Sequence, residues 1–273
     1  MCIRDRDSEG KVVVVGSEDG KVYAYDAESG EEVWQFTTGG KVWSTPLIHD
    51  GTAYFGSHDK NLYAVSMATG DQKWAYTTGG VIAGRPLLFR NLVVVGSFDK
   101  KLYAIDASSG VKRWSVSAGN WFWAGPVSDG TTIFAPSMDG NVYGIDPNPL
   151  NPGVPDPTGN VLWKHDMGSP VVSRPVLVGR GLVVAGKDGK VSLLDTDIAV
   201  ATNQREIAFT NVQGGAEVTA PLFASGNSVF VGSQDSTVTR IEIGANQAGQ
   251  AFIRTHWCLD TKNADVQCET ARE

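Results

Sequence analysis

What restricts this chain most is a repeat of its own text. Asp19, Asp59, Asp99 and Asp139 stand 40 residues apart, and two further copies, Asp188 and Asp235, follow after 49 and 47. Gly-Ser precedes the first three, at Gly16-Ser17, Gly56-Ser57 and Gly96-Ser97, and Pro136-Ser137 is the variant in the fourth. A period of this length means that each unit is one supersecondary element. It can bury its apolar surface only against its neighbours.

The copy from Thr45 to Thr78 shows what the unit is. Four short β-prone runs, Thr45–Ile48, Thr52–Ser57, Leu62–Ser66 and Gln72–Thr77, are divided by turns at 49–51, 58–61 and 67–71. Asp-Gly and similar pairs between such runs are strong hairpin signals. Glycine supplies the positive φ, and an Asp carboxylate accepts hydrogen bonds from nearby backbone N–H groups. Four hairpin-linked strands per ~40 residues, repeated, predict the blades of an all-β propeller. In this phase residues 11–38 give three strands of a partial blade. Five complete blades follow at about 41–80, 81–120, 121–168, 169–213 and 214–255.

Residues 11–255 are therefore expected to form a single domain, and 256–273 a C-terminal tail. Residues 1–10 are expected to be a non-native or unstructured leader, because Met1–Arg6 has neither an apolar signal core nor a strand pattern. Both ends look cut, and the parent protein is expected to hold seven or eight blades. Cys258 and Cys268 lie in the tail, where a disulfide and two unrelated thiols both stay open. A net charge of −7 argues against a nucleic-acid surface, and no apolar run is long enough to span a membrane.

One large aromatic residue recurs per unit. Trp34, Trp74, Trp114 and Trp163 each lie twelve residues before a proline, and Phe209 lies twelve before Pro221. That register on the fourth strand predicts packing between neighbouring blades.

The run Leu102-Tyr-Ala-Ile-Asp-Ala-Ser-Ser-Gly110 followed by Trp114 resembles the repeat of pyrroloquinoline-quinone (PQQ) type β-propellers. Val22 to Trp34 and Leu62 to Trp74 resemble it as well, and the likeness covers about residues 11–255. That family implies the propeller fold but not one function. It holds quinoprotein dehydrogenases that bind the quinone and calcium. It also holds non-enzymatic scaffolds, among them ones similar to the outer-membrane assembly lipoprotein of Gram-negative bacteria.

The dehydrogenases are expected to carry an adjacent Cys-Cys pair, which this chain lacks. Asp19, Asp59, Asp99, Asp139, Asp188 and Asp235 recur once per blade, as turn residues would and a catalytic residue would not. His49, His58, His165 and His256 have no metal-ligand spacing, so no metal and no catalytic residue is assigned. No phosphate loop, dinucleotide fingerprint or nucleophile elbow is present.

What varies between copies is more informative. Just before the proline of each first strand stand Trp43-Ser44-Thr45, Ala83-Gly84-Arg85, Trp123-Ala124-Gly125, Val172-Ser173-Arg174 and Val218-Thr219-Ala220. The first strand is expected to line a central channel. Trp43, Arg85, Trp123 and Arg174 at its mouth are the candidate binding residues; the competing reading is that the tryptophans fill the channel and the arginines pair with carboxylates. The turn after the third strand is also irregular. It holds five prolines from Pro147 to Pro157 in the fourth copy and is lengthened at 196–204 and 244–249. A stiff proline-rich loop can be presented to a partner.

The leading expectation is a non-catalytic scaffold outside the cytoplasm, in the periplasm or on the cell surface, that binds another protein or a small ligand without a cofactor. A role in envelope assembly is implied by the resemblance alone. The alternatives are a fragment of a PQQ- and calcium-dependent dehydrogenase, and the sensor ectodomain of a membrane-anchored protein.

Overall fold

The structure, a computed structural model, describes residues 3–6, 11–151, 154, 157–245 and 251–262. Among these there is no α-helix, only single 3-10 turns at Thr202–Gln204 and Gln213–Gly215. The strands form six four-stranded antiparallel sheets, each from four strands consecutive in the chain. The chain divides into two compact units, residues 1–126 with 146–160, and residues 127–145 with 161–273.

The first unit holds three sheets. Sheet 1 is β1 (Ile3–Arg6), β2 (Val12–Gly16), β3 (Lys21–Asp26) and β4 (Glu32–Thr37). Sheet 2 is β5 (Leu47–His49), β6 (Thr52–Gly56), β7 (Asn61–Ser66) and β8 (Gln72–Thr77). Sheet 3 is β9 (Leu87–Phe89), β10 (Leu92–Gly96), β11 (Lys101–Asp106) and β12 (Lys112–Ser117). Each central strand alternates its side chains between two neighbours. Ala53, Phe55, Tyr63 and Val65 pack on Val14, Ala24 and Trp34 of sheet 1. Tyr54, Leu62, Ala64 and Trp74 pack on Val93, Val95, Tyr103 and Ile105 of sheet 3. Burial on both faces is why β6 and β10 read as unbroken apolar runs with no polar alternation.

The second unit holds the rest. Sheet 4 is β13 (Val127–Ser128), β14 (Ile133–Pro136), β15 (Asn141–Pro149) and β16 (Gly159–Asp166), of which the stretch 146–160 belongs to the first unit. Sheet 5 is β17 (Val176–Val178), β18 (Gly181–Ala185), β19 (Lys190–Asp195) and β20 (Glu206–Asn211). Sheet 6 is β21 (Phe223–Ser225), β22 (Ser228–Gly232), β23 (Thr237–Ala245) and β24 (Ala251–Asp260). The packing rule is the same. Phe134 and Trp163 lie on Leu182, Val184 and Leu194, and Val183 and Leu193 on Val229, Val231 and Ile241.

Two expected boundaries move. Sheet 1 is not a partial blade: β1 pairs with β2 in the register Ile3↔Gly16 to Arg6↔Val13, so the supposed leader supplies its first strand. An edge strand is held by main-chain hydrogen bonds that any sequence can make, and an apolar pattern search does not see it. At the other end β24 runs past residue 255 to Asp260, carrying Trp257 and Cys258 in the strand and not in a tail. Cys258 is disulfide-bonded, and Cys268 lies outside the described residues.

Tryptophans of sheets 1, 2 and 3 each reach the repeat that follows. In the first unit Trp34 Nε1 donates to Met67 O at 2.8 Å, Trp74 Nε1 to Ala107 O at 2.9 Å and Trp114 Nε1 to Pro147 O at 2.7 Å. Met67 and Ala107 lie in the turn after the third strand of the following repeat, and Pro147 lies near the end of its third strand, β15. Gly70 and Gly110 of those turns press their backbones on the Trp34 and Trp74 rings, where a Cβ would come within 2.9 Å. In the second unit the Trp163 ring is covered instead by the Arg205 guanidinium, 4.0 Å from its centroid.

Phe209 does not take the tryptophan place. A bulge precedes that place in the outer strands, so Trp34, Trp74 and Trp114 pair with Ala24, Ala64 and Ala104. In sheet 5 the bulge skips Ile207, which sets Ala208 opposite Leu193 in the tryptophan register. Phe209 falls one residue later, 57% exposed, with Lys190 Nζ 4.8 Å above its ring. The true sixth member is Trp257, which pairs with Arg240 beside the bulge of sheet 6.

Candidate functional site

The recurring aspartates are built into the turns. Asp59 Oδ1 accepts from Asn61 N at 2.9 Å, while Oδ2 accepts from Tyr63 Oη at 2.7 Å and from Gly39 N at 2.7 Å. Asp99 repeats the set with Lys101, Tyr103 and Gly79. Asp19 and Asp139 take the Tyr23 and Tyr143 hydroxyls at 2.6 Å. Asp188 and Asp235 cap their turns through Lys190 N and Thr237 N. The hydrogen bond from Tyr23 holds the Asp19 carboxyl below its ordinary value. Carboxylates this fully engaged by their own turn and neighbours are structural acceptors.

The irregular positions behave differently. In the first unit the linkers before each first strand run side by side. Ser44 Oγ donates to Gly84 O at 2.9 Å, and a Cβ on Gly84 would meet Gly125 N and Trp123 O at 2.8 Å. The glycines let the main chains touch, and on the middle linker the small Ala83 stands in the register that holds Trp43 and Trp123 in its neighbours. Trp43 and Trp123 lie 6.2 Å apart. Trp123 stacks on Phe98 at 5.0 Å, and Phe98 on Trp121 at 4.6 Å with planes only 2° apart. At the other end His58 meets Trp43 edge to face at 4.2 Å. The row His58, Trp43, Trp123, Phe98, Trp121 is half-buried to exposed, with Trp121 38% exposed.

Charge borders the row at one end. Glu18 accepts from Trp43 Nε1 at 3.2 Å and sits 3.5 Å from Lys41 Nζ. Lys41, with the Trp43 bond second, lowers the Glu18 carboxyl below its ordinary value. Burial, with Lys41 second, lowers His58, so the imidazole is neutral at neutral pH. Such a row can stack or receive apolar and planar groups while Glu18 and Lys41 orient polar ones.

Of the four expected binding residues the structure brings Trp43 and Trp123 together. Arg85 stands on the middle linker of the same unit, half-buried. Arg174 belongs to the second unit, half-buried, and its carbonyl accepts from Leu222 N at 3.1 Å. Sequence reasoning missed Phe98, Trp121 and the stacking role of His58. Phe98 stands where Glu18 and His58 stand in the preceding copies, so variation at that turn was the available signal.

The long turns differ as well. The described flanks of the proline-rich turn lie along β12: Ser115 N donates to Pro157 O at 3.3 Å, and Ser115 bridges Thr158 in parallel. Residues 152, 153, 155 and 156 lie outside the described residues, as do 246–250 of the sixth long turn. The fifth wraps around Arg205, whose Nη1 donates to Asp195 O at 2.6 Å and Asp197 O at 3.0 Å and Nη2 to Val200 O at 2.6 Å.

Among the described residues no three His, Cys, Asp or Glu side chains group to hold a metal, and no two of the chain's three cysteines are adjacent. Among the same residues no helix is long and apolar enough to cross a membrane.

Six four-stranded antiparallel sheets, three of them bonded to the following repeat through a tryptophan, with an aromatic face on the variable linkers of the first unit, define a β-propeller of the PQQ-repeat class. The chain belongs to the family described as outer membrane protein assembly factor BamB, which its residues 4–83 and 77–263 match. The crystal structure of BamB from Moraxella catarrhalis is similar, with a TM-score of 0.73 at 19% identity over 96% of this chain and 74% of that one. A computationally designed protein, Ika8, is similar with a TM-score of 0.71 at 19% identity over 85% of this chain and 68% of its own. At these identities the likeness is one of fold. A beta-alanine-activating enzyme of Danio rerio is 45% identical over 47 residues, which is 17% of this chain and 4% of that protein.

Proposed function

We propose that this propeller is a non-catalytic scaffold of the cell envelope, outside the cytoplasm, that holds another protein during outer-membrane assembly. The partner docks on the His58–Trp121 aromatic row. The observation that carries the reading is that row itself. Repeated positions are consumed by turns and packing, whereas its five rings come from non-repeating positions and gather on one unit, partly exposed. Trp and Arg are favoured anchors of protein interfaces, and a rigid β frame presents them at low entropic cost. Arg85 on the neighbouring linker supplies a charged contact, and Arg174 a second one on its own unit. Family membership supports the assembly role and the envelope location.

The test places a photo-cross-linking residue at Trp121 in cells and identifies what is captured after irradiation. A specific envelope protein is expected, captured less in the Trp43→Ala/Trp123→Ala double variant while the melting curve of that variant keeps its midpoint. Capture of cytoplasmic proteins alone, or capture indifferent to both tryptophans, overturns the reading.

A further inference from the structure

The residue before the turn aspartate is Glu18, His58 and Phe98 in the first three copies, and of these only His58 changes its charge near neutral pH. Its ring ends the aromatic row at Trp43, 4.2 Å from that indole with 75° between the planes. The main chain roots it there. His58 N donates to Lys41 O at 2.9 Å, and Gly40 lies so close that a Cβ on it would come within 3.2 Å of the His58 Cβ. Its Nε2 is buried and has no hydrogen-bond partner among the described residues.

Charges face the imidazole from its neighbours and from its own turn. Lys41, on the linker into sheet 2, and Glu18, in the turn of sheet 1, are the neighbours. In its own turn Lys60 is exposed, and the Asp59 carboxylate is taken by Asn61 N, Tyr63 Oη and Gly39 N. Glu18 is engaged as well, accepting from Trp43 Nε1 at 3.2 Å and lying 3.5 Å from Lys41 Nζ. A proton on His58 therefore adds a positive charge beside Lys41. It also gives both ring nitrogens an N–H, and the one at Nε2 is buried with nothing described to accept it. The attraction of an imidazolium for an indole ring is smaller than the cost of burying a charged donor unbonded. A turn of the ring towards Glu18 takes that acceptor from Trp43 Nε1.

We infer that His58 is an acid-sensitive latch on the aromatic row: the neutral imidazole holds Trp43 in line, and protonation moves His58 out of the contact and loosens Trp43. Burial first and Lys41 second hold the folded imidazole below its ordinary value, against Glu18. A folded value below the unfolded ~6.5 means that the neutral form supports the contact. That support is complete above pH ~6.5 and is lost as pH falls through the folded value. In what it regulates, the latch rests on the docking reading above: a face outside the cytoplasm meets the acidity of the medium, and mild acid releases the partner held there.

Proton NMR of the His58 imidazole, with near-UV circular dichroism of the tryptophans, from pH ~8 to ~4 tests the latch on the chain alone. A one-proton loss of near-UV signal that tracks the His58 titration is expected, with its midpoint below pH ~6.5 and the far-UV spectrum unchanged. His58→Phe, which supplies a ring as Phe98 does in the next copy, is expected to abolish the step, and His58→Gln replaces it if strand content is lost. A His58 that stays neutral throughout, one that titrates without a near-UV change, or a step that survives the substitution overturns the inference. The partner is read separately, by cross-linking at Trp121 on either side of the midpoint. Capture is expected to fall in acid in the wild type, with no pH dependence in His58→Phe. Equal capture at both pH values despite the near-UV step overturns the release, whereas no capture at either strikes the docking reading and leaves the spectroscopic step to decide the latch.

Discussion

Trp114 donates its indole N–H to the carbonyl of Pro147 at 2.7 Å, across the gap between two consecutive repeats. The ring is fully buried, and the bond spans the same 33 residues as Trp34 to Met67 and Trp74 to Ala107. Replacing Trp114 with Ala removes both the ring and the bond. The expected loss is ~3–5 kcal/mol in a denaturant titration. Trp114→Phe keeps most of the packing but strands the Pro147 carbonyl, for ~1–3 kcal/mol. Equal losses for the two variants would mean that the ring packing contributes nothing beyond the bond.

Gly110 and Gly30 separate strain from collision. Both have positive φ, 71° and 74°, but a Cβ on Gly110 would meet the Trp74 ring at 2.9 Å while one on Gly30 meets nothing within 4 Å. Gly30→Ala is expected to cost ~1 kcal/mol for the left-handed backbone alone. Gly110→Ala is expected to cost ~1–3 kcal/mol more for overpacking against the indole. Thermal unfolding of the pair checks the difference, and equal shifts would remove the indole contact from the account.

The tyrosines facing the turn aspartates set the alkaline limit. Burial first, and then the hydrogen bond to Asp59, push the Tyr63 phenol up to about 12. The bond to Asp19 first, and then burial, do the same for Tyr23. A folded value above the unfolded value of ~10 favours the neutral phenol in the folded state. The stabilisation is therefore complete below pH ~10 and is lost as pH rises towards about 12. Tyr63→Phe should flatten stability against pH in that window, measured by unfolding at stepped alkaline pH. An unchanged slope would show that the phenol does not titrate with unfolding.

The donor set bears on the quinone. With no described metal-holding cluster and no adjacent cysteines, titration with PQQ in the presence of calcium is expected to leave tryptophan emission without saturable quenching. Quenching that saturates at micromolar quinone and depends on calcium would return the dehydrogenase reading.

The repeat made the architecture legible because period, turn glycines and apolar alternation all arise from the same local chemistry. Where backbone alone decides, the text is silent: β1 adds a strand without an apolar pattern. Bulge register is equally hidden, so counting twelve residues back from Pro221 lands on Phe209 although the strand skips Ile207 and presents Ala208. Two of the five rings of the aromatic row were readable, since Trp43 and Trp123 stand out among the linkers. Phe98 and Trp121 were not, because their meeting depends on how a turn and a linker forty residues periodic come to lie beside each other. Arg205, buried under three carbonyls, looked like an ordinary residue of a lengthened loop.

The span from each tryptophan to its carbonyl acts as a ruler for how a repeat can change length. In the fourth repeat the proline-rich residues enter after Pro147, so the 33-residue distance from Trp114 is kept. In the fifth the added residues are followed by Arg205, which covers Trp163, whose Nε1 has no hydrogen-bond partner among the described residues. Growth downstream of the acceptor leaves the rivet intact, and in the fifth repeat a cation takes the place of the glycine backbone on the ring. In these two repeats new sequence, and with it new surface chemistry, is therefore admitted at one defined point, past the residue that meets the tryptophan, while the stacked interior stays the same.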